Sequence, residues 1–308
     1  MTHDLLQIGA ITPQMQERLE AAFTIHQLDD FDPTAITHVI TNGHYGVNPE
    51  LMASLSNLKV ISGYGVCYDA IDVTEAVRRN ILVAHTPNVL NQEVATTALL
   101  LLLACYRELL CDDAYVRSGD WQAKGNAPLT RSMDEQTVGI LGLGRIGKAI
   151  ANKLAPWNAT VVYHSRTKKD VPYRYFDNLA EMASACDALI CIAPGGPSTH
   201  KIVNAEVLEA LGPNGTLINV SRGSVVDEAA LIEALENGKL GWAGLDVFEA
   251  EPMVPQALRD LPNTVLLPHV GSATVETRAA MGALTVDNLL QHLKDGTVVT
   301  PVPECADL

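Results

Sequence analysis

Short runs of apolar residues alternate along the chain with longer stretches in which apolar positions recur every three or four residues. In the first part of the chain, the short runs are residues 5–8, 37–41, 58–62 and 81–84. Their length and spacing predict four strands with helices between them. Alternating strands and helices are typical of a parallel sheet that is covered by helices on both faces. This part of the chain is therefore predicted to form a small, open α/β domain.

A long apolar helix is predicted next, from about residue 88 to residue 111, and a polar, irregular segment follows it. Six further apolar runs then predict a second set of strands, at residues 137–141, 160–163, 188–193, 215–220, 240–247 and 264–267. Six strands separated by helical patterns suit a dinucleotide-binding fold. The second half of the chain is therefore predicted to form a second doubly wound α/β domain.

A last helical pattern, over residues 274–293, would return the chain to its first domain. The sequence thus predicts a discontinuous substrate-binding domain, residues 1–98 and 283–308, and an inserted dinucleotide-binding domain, residues 99–282. Ligands commonly bind in the cleft between two such domains. We therefore expect the chemistry to lie at strand ends that face this cleft.

The inserted domain contains a glycine-rich loop between its first predicted strand and the helix that follows. Gly142 would allow the tight turn, Gly144 would let the backbone approach a pyrophosphate, and Gly147 would let the helix pack closely on the strand. The free N–H groups at the start of the helix favour an anion there. The loop, which includes Arg145 and Ile146, is therefore predicted to bind a dinucleotide.

The end of the next strand indicates which dinucleotide is bound. An NAD site normally presents a carboxylate to the ribose 2′-hydroxyl at this point, about 20 residues beyond the glycines. This chain instead has Ser165, Arg166 and Thr167, which offer a planar guanidinium and two hydroxyls to a 2′-phosphate. The sequence therefore favours NADP over NAD, with a solvated basic turn as the alternative reading.

Composition narrows the range of partners. The 308 residues include 36 acidic and 21 basic side chains, a formal net charge of −15, which argues against nucleic acid or an anionic membrane as a partner. The N-terminal residues lack the positive and apolar segments of a signal peptide. The six cysteines are scattered without metal-ligand spacing, so we expect reduced thiols, a cytoplasmic protein and no metal site.

Three titratable or charged residues follow predicted strands of the inserted domain and are flanked by small residues. They are Arg222, Glu251 and His269. Arginine can bind a carboxylate through two parallel hydrogen bonds, and histidine is the side chain best suited to proton transfer near neutral pH. These residues are therefore candidates for an anion anchor, a supporting carboxylate and an acid/base.

The chain resembles the D-isomer-specific 2-hydroxyacid dehydrogenases over nearly its whole length. The glycine loop is followed by Ser221-Arg222-Gly223, Asp246-Val247-Phe248-x-x-Glu251-Pro252 and Pro268-His269-Val270-Gly271-Ser272, in the order and at the spacing of that family. Within the family, the chain looks most like the NADP-dependent glyoxylate/hydroxypyruvate reductases. The resemblance implies a flavodoxin-like substrate domain and a Rossmann dinucleotide-binding domain, with the cleft between them.

The resemblance also implies a role for each strand-end residue. Arg222 matches the arginine that binds the substrate carboxylate, and His269 matches the proton donor to the carbonyl oxygen. Glu251 matches the residue that orients this histidine and favours its charged form. Asp246 matches the residue near the nicotinamide carboxamide. The predicted chemistry is hydride transfer from NADPH to a small 2-keto acid, with a proton supplied by His269.

Further contacts are implied by position. Gly65, Val66 and Cys67 match the loop whose backbone N–H groups meet the substrate carboxylate, although the family commonly has glycine where Cys67 stands. The side chain of Cys67 would shape the pocket, and its backbone must adopt an allowed φ. Pro194 and Ser272 are expected to contact the cofactor.

The family resemblance implies a homodimer, with the segment around Trp121 reaching the partner subunit. Two alternatives remain open from the sequence. The same scaffold could act on an aryl pyruvate or phosphoglycerate, or use NAD. It could also serve as a corepressor-like interaction protein that senses NAD(H), because such relatives retain the three strand-end residues.

Overall fold

Strands and helices alternate along the chain, as the pattern of apolar runs predicts. The structure, a computed structural model, describes residues 3–308. The strands are β1 (His3–Gln7), β2 (Phe23–His26), β3 (His38–Asn42), β4 (Val60–Tyr64), β5 (Leu82–Ala84), β6 (Thr137–Leu141), β7 (Thr160–His164), β8 (Arg174–Phe176), β9 (Ala188–Cys191), β10 (Thr216–Asn219), β11 (Trp242–Leu245) and β12 (Thr264–Leu266).

Helices lie in most of the connections between these strands and after the last strand. They are α1 (Pro13–Glu20), α2 (Pro49–Ser54), α3 (Val73–Arg78), α4 (Asn91–Tyr106), α5 (Leu109–Arg117), α6 (Asp120–Lys124), α7 (Arg145–Leu154), α8 (Leu179–Ser184), α9 (Ala205–Leu211), α10 (Glu228–Glu236), α11 (Gln256–Asp260) and α12 (Val275–Asp295).

The chain divides into two compact units. The first comprises Met1–Leu90 and Ala273–Leu308, and the second comprises Asn91–Ser272. The divisions expected from the sequence, after residues 98 and 282, lie eight and ten residues further along the chain. In the structure, the chain changes unit at the starts of α4 and α12, so each of these helices belongs wholly to one unit.

The first unit contains a five-stranded parallel sheet in the order β2-β1-β3-β4-β5. This is the flavodoxin-like order, as the family resemblance implies. Successive residues of β1 point to opposite faces of the sheet. Leu5 packs in a hydrophobic cluster with Val286 of α12, and Leu6 packs in a second hydrophobic cluster on the other face. Both faces of the sheet are thus covered.

The second unit contains a seven-stranded parallel sheet in the order β12-β11-β10-β9-β6-β7-β8. From β8 to β11 the strands follow the Rossmann order 3-2-1-4-5-6, and β12 adds a strand beyond it. The order reverses between β6 and β9. Ligands of open α/β sheets bind at the carboxyl ends of strands at such a reversal, which is where the glycine-rich loop lies.

The strand count from the sequence is one too low in each unit. The missed strands are β2 and β8, each at an edge of its sheet. β2 buries one of its four residues, Phe23, and β8 has three residues of which one, Phe176, is buried. An edge strand packs against a single neighbour, so its sequence need not be a continuous apolar run.

The single long helix predicted over residues 88–111 is also wrong. α4 ends at Tyr106, Glu108 adopts a left-handed backbone with a φ of 47°, and α5 continues at an angle of 57°. α4 has nine buried residues, whereas α5 has none. The apolar pattern therefore indicated that a helix is buried here, but it did not indicate where the helix breaks. The segment predicted to be irregular contains the short helix α6.

Within residues 3–308, no single helix is both long enough and apolar enough to cross a membrane. α4 and α5 meet that length and composition only when they are taken together as a bent pair.

Candidate active site

The glycine-rich loop joins β6 to α7 through close backbone contacts. Gly142 has a φ of 101°, and its N–H donates a hydrogen bond of 2.9 Å to the carbonyl oxygen of His164. A Cβ atom at Gly142 would lie 2.7 Å from the backbone nitrogen of Ala193, and one at Gly147 would collide with the carbonyl oxygen of Gly142. Both positions therefore require glycine.

Gly144 faces open space instead. A Cβ atom there would meet no atom within 4 Å. Gly144 is the N-cap of α7, and no side chain caps this helix. The N–H groups of Arg145, Ile146 and Gly147 in the first turn are consequently available to a ligand. The loop thus offers both the space and the donors that a pyrophosphate needs at a helix N-terminus, and it fits the predicted dinucleotide.

The loop after β7 carries the residues predicted to bind a 2′-phosphate. Arg166 is exposed, and among residues 3–308 it has no partner in a hydrogen bond or ion pair, which leaves its guanidinium available. Ser165 Oγ donates to the carbonyl oxygen of Thr167 over 2.8 Å, so this hydroxyl holds the turn. Thr167 Oγ1 accepts a hydrogen bond of 3.2 Å from Lys169 Nζ and keeps its own proton for an anion.

Pro194 and Ser272 follow β9 and β12. The carbonyl oxygen of Pro194 accepts a hydrogen bond of 2.7 Å from Thr199 Oγ1, which closes the segment after β9 on itself. Ser272 is half-buried and ends the loop that carries His269. Both residues lie beyond the carboxyl ends of parallel strands, the same edge of the sheet as the glycine-rich loop.

Asp246 holds the loop after β12. Its carboxylate accepts the N–H of Val270 over 2.7 Å and the N–H of Gly271 over 2.8 Å. Its carbonyl oxygen accepts the N–H of His269 over 2.8 Å. Burial raises the pKa of Asp246, and the two N–H groups partly offset this effect. The structure thus gives Asp246 a structural task, fixing the turn around His269, that the sequence did not indicate.

His269 and Glu251 form a hydrogen-bonded pair. Nδ1 of His269 lies 2.7 Å from Oε2 of Glu251, whose Oε1 accepts the N–H of Phe248 over 3.0 Å. Because a carboxylate only accepts, Nδ1 carries the proton and Nε2 is left for a substrate. The side chain of His269 is 44% exposed and that of Glu251 is 19% exposed. His269 also has a φ of 53°, an uncommon backbone conformation for a residue other than glycine.

The carboxyl group of Glu251 is kept ionised by its neighbours. Burial is the largest single effect and works against ionisation. The hydrogen bonds from His269 and Phe248, together with the positive charges of His269 and Arg222, outweigh burial and hold the pKa of Glu251 below its ordinary value. Arg222 therefore lies close enough to this pair to act on it electrostatically.

Arg222 follows β10 in a loop that is fixed from both sides. The Asn219 side chain accepts the N–H of Ser221 over 3.1 Å and donates to the carbonyl oxygen of Arg222 over 2.9 Å. A Cβ atom at Gly223 would collide with the backbone of Phe248, so the Arg222 loop and the Glu251 loop pack backbone to backbone. The structure thus brings Arg222, Glu251 and His269 together, as the sequence predicts.

Sequence reasoning missed Asn219. A polar residue that closes the apolar strand Leu217-Ile218-Asn219 is the signal that could have revealed it. Asn219 is 1% exposed, and a buried amide at a strand end requires partners, which are here the backbone of the Arg222 loop.

The loop predicted to bind the substrate carboxylate lies in the first unit, after β4. Gly65 has a φ of 153°, which favours glycine, whereas Cys67 has no positive φ, so the cysteine fits without backbone strain. The carbonyl oxygen of Gly65 accepts the N–H of Thr86 over 2.8 Å, and that of Val66 lies 2.8 Å from Nδ1 of His85. The conformation of the loop is therefore anchored at two consecutive carbonyl groups.

Comparison with known proteins agrees with this geometry. A sequence profile for the family described as "D-isomer specific 2-hydroxyacid dehydrogenase, NAD binding domain" matches residues 99–271. The chain is 43% identical over 305 residues to a 2-ketogluconate reductase of Gluconobacter oxydans, which covers 97% of this chain and 98% of the relative. It is 45% identical to glyoxylate/hydroxypyruvate reductase A of Arabidopsis thaliana over 269 residues, covering 87% of this chain and 86% of the relative.

Among solved structures, the chain is similar to an NADPH-dependent glyoxylate/hydroxypyruvate reductase from Sinorhizobium meliloti, determined in complex with NADP and malonate. The TM-score is 0.94 and the identity 44%, with 99% of this chain and 98% of the other covered. The profile match and the relatives together show that this chain belongs to the family of D-isomer-specific 2-hydroxyacid dehydrogenases.

Proposed function

We propose that the protein is an NADPH-dependent reductase of small 2-keto acids, with glyoxylate and hydroxypyruvate as its first substrates. The observation that carries this proposal is the hydrogen-bonded pair of His269 and Glu251 beside the positive charge of Arg222. A 2-keto acid has a carboxylate to bind and a carbonyl oxygen to protonate, and this group of side chains supplies a partner for each. Asn91–Ser272, which carries these three side chains, would bind the nucleotide, and the other unit carries the loop predicted to bind a substrate carboxylate.

His269 is the proton donor in this proposal. Its Nδ1 is occupied by Glu251, so Nε2 is the nitrogen that faces the carbonyl oxygen of the substrate. The hydrogen bond to Glu251 fixes the orientation of the ring. Because the side chain of His269 is partly exposed, it can recover a proton from water after each turnover.

Arg222 binds the carboxylate of the substrate. Its guanidinium can make two parallel hydrogen bonds, which fix the plane of the keto acid as well as its position. Asn219 and the contact at Gly223 hold the backbone on both sides of Arg222, so little freedom is lost when the substrate binds. In the other unit, the N–H groups of Val66 and Cys67 are proposed as donors to a carboxylate, as the family resemblance implies.

NADPH supplies the hydride when it is bound. The pyrophosphate would be held by the N–H groups at the start of α7, and the 2′-phosphate by Arg166 with the hydroxyl of Thr167. No carboxylate stands among residues 164–169 to bind a 2′-hydroxyl. Pro194, Asp246 and Ser272 are proposed to line the nicotinamide side of the site, at the same edge of the sheet.

We also propose a cytoplasmic homodimer. Five large apolar side chains are exposed on or after α5 and α6, a segment that buries none of its helical residues: Leu109, Leu110, Val116, Trp121 and Leu129. A run of exposed apolar side chains on one segment is typical of a protein interface. The scattered cysteines agree with a reducing compartment.

Initial rates of NADPH and NADH oxidation test the proposed reaction. They would be measured with glyoxylate, hydroxypyruvate, 2-ketogluconate and hydroxyphenylpyruvate, because relatives of this chain are named for each of these substrates. The expected result is the highest kcat/KM for NADPH with glyoxylate or hydroxypyruvate. A preference for either larger acid would keep the mechanism and replace the substrate. Tight nucleotide binding without turnover of any acid would favour the NAD(H)-sensing alternative.

A further inference from the structure

His85 lies directly after β5 and contacts the substrate loop. Its side chain is buried, and Nδ1 is 2.8 Å from the carbonyl oxygen of Val66. A carbonyl oxygen only accepts, so Nδ1 is the protonated nitrogen of the ring. The next residue, Thr86, donates its backbone N–H to the carbonyl oxygen of Gly65 over 2.8 Å. Two consecutive loop carbonyls are thus held by two consecutive residues.

These two hydrogen bonds set the direction of the loop N–H groups. In a trans peptide unit, the C=O and the following N–H point in opposite directions. The bond from Thr86 to Gly65 therefore turns the N–H of Val66 away from the end of β5, and the bond from His85 to Val66 does the same for the N–H of Cys67. Successive N–H groups presented on one side form an anion-binding concavity.

The ring of His85 is itself fixed. The ring of Tyr68 packs against it edge to face, with centroids 5.4 Å apart and an interplanar angle of 86°. The hydroxyl of Tyr68 donates to the carboxylate of Glu304 over 3.3 Å. The backbone N–H of His85 donates to the carbonyl oxygen of Thr300, and Thr300 Oγ1 donates to the carbonyl oxygen of His85 over 2.6 Å. The donor at Nδ1 is therefore preorganised.

We propose that His85 is a positioning residue for the 2-keto acid, because its hydrogen bond to Val66 holds the Cys67 N–H in the orientation that binds the carboxylate. This proposal rests on the proposed function. Without the bond, the peptide unit between Val66 and Cys67 can rotate, and one donor to the carboxylate is lost. The carboxylate does not change charge during reduction, so the loss weakens the ground state and the transition state alike. KM rises, whereas kcat stays nearly constant.

The test compares two substitutions of His85. His85→Leu keeps the bulk of the side chain and removes the donor, whereas His85→Asn places an amide nitrogen where Nδ1 stands. KM and kcat for glyoxylate would be measured at saturating NADPH, together with the inhibition constant of oxamate and the Tm. A lost hydrogen bond to a charged group costs about 1.5–3 kcal/mol, so His85→Leu should raise KM and the oxamate constant by about tenfold or more. In His85→Asn, both constants should stay within about twofold of the wild-type values, because the amide can donate the same hydrogen bond.

Two controls separate positioning from stability. His38→Leu alters another buried histidine of the same unit, at the start of β3, and should leave KM and oxamate binding unchanged. If His85→Leu does not fold, His85→Gln replaces it, since its amide lies one bond too far out to make the same contact. Unchanged KM and oxamate binding in the donor-removing variant that folds, His85→Leu or His85→Gln, would overturn the proposal. A rise of KM and of the oxamate constant in His85→Asn equal to that in His85→Leu would overturn it as well.

The outcome is distinguishable from failure of the proposed function. If the wild type reduces no 2-keto acid, the proposed function fails, and oxamate binding followed by calorimetry still reports on His85. If the wild type is active and the His85 variants match it, the positioning role alone is wrong.

Discussion

At the scale of single residues, the proposed chemistry depends on two side chains, His269 and Arg222, whose loops are held by hydrogen bonds from buried neighbours. Asp246 fixes the turn that carries His269, and Asn219 fixes the loop that carries Arg222. Both supporting residues are buried at strand ends. The side chains of His269 and Arg222 can therefore stay partly exposed while their positions are set from the interior of the second unit.

Arg166 should control the choice of nucleotide. Arg166→Asp places a carboxylate where a 2′-phosphate would bind and where a 2′-hydroxyl could donate. The ratio of kcat/KM for NADPH to that for NADH should fall by about tenfold or more, the loss expected for one charge-assisted contact. Lys168→Asp makes the same charge change at the next exposed basic residue along the chain and should have a much smaller effect. An equal effect of both variants would show that general charge, rather than Arg166, sets the preference.

The sequence indicated Arg222, Glu251 and His269 as candidates because each one follows an apolar strand and stands among small residues. It could not show how Ser165 is used. The residue type suggested a donor to phosphate, but the Ser165 hydroxyl donates to the carbonyl oxygen of Thr167. That contact depends on the conformation of a turn, which residue type alone does not determine.

At the scale of elements, β3 and α12 are joined by an unusual histidine contact. Nε2 of His38 lies 3.0 Å from Nδ1 of His292, and His38 Nδ1 lies 2.8 Å from the hydroxyl of Thr37. Burial, followed by the charges of His292, His3 and Lys59, lowers the pKa of His38 to about 3. Burial also lowers the pKa of His292. The folded first unit therefore holds these rings in their neutral form.

This contact predicts a loss of stability in mild acid. Below the ordinary histidine value of 6.5, the unfolded chain binds protons that folded His38 does not, so the free energy of unfolding falls as the pH decreases towards 3. One unbound proton corresponds to about 1.4 kcal/mol per pH unit. Urea unfolding of the wild type and of His38→Leu at pH 7.5 and 5.5 measures how the free energy of unfolding changes with pH. The difference between the two pH values should be smaller in His38→Leu, and an identical difference would refute the assignment.

The prediction of elements succeeded where a strand is buried on both faces, and it failed at two short edge strands and at the end of one helix. β2 and β8 are short edge strands with one buried residue each, so no apolar run marks them. The end of α4 was missed because leucines continue into α5, where they are exposed. A periodic apolar pattern does not distinguish apolar residues that are buried within a unit from apolar residues that stay exposed on its surface.

At the scale of the whole molecule, the exposed apolar residues of α5 and α6 predict self-association. Trp121→Glu introduces a charge at an exposed aromatic side chain, which is 57% accessible. If Trp121 lies in a homodimer interface, this variant should raise the dimer dissociation constant by about tenfold or more, as for a hot-spot residue. Light scattering coupled to size-exclusion chromatography measures the mass. Leu28→Glu, at a 51% exposed leucine of the first unit, is the control and should leave the mass unchanged.

The two-unit organisation was predictable because the strand runs and the final helical pattern indicate a discontinuous first domain with a second domain inserted in it. The order of the strands required the structure, since a run of apolar residues does not reveal its neighbours in the sheet. The flavodoxin-like and Rossmann orders came from the family resemblance and are confirmed by the strand pairing.

The central claim is that His269 donates a proton to the carbonyl oxygen while NADPH reduces the carbon. The most direct measurement is kcat for glyoxylate with saturating NADPH in the wild type and in His269→Gln, with NADPH affinity followed by fluorescence. Loss of a general acid costs about 10²–10⁴-fold, so kcat should fall within that range while NADPH affinity stays unchanged. A fall in kcat of only about threefold, far smaller than the loss of a general acid, would contradict this claim.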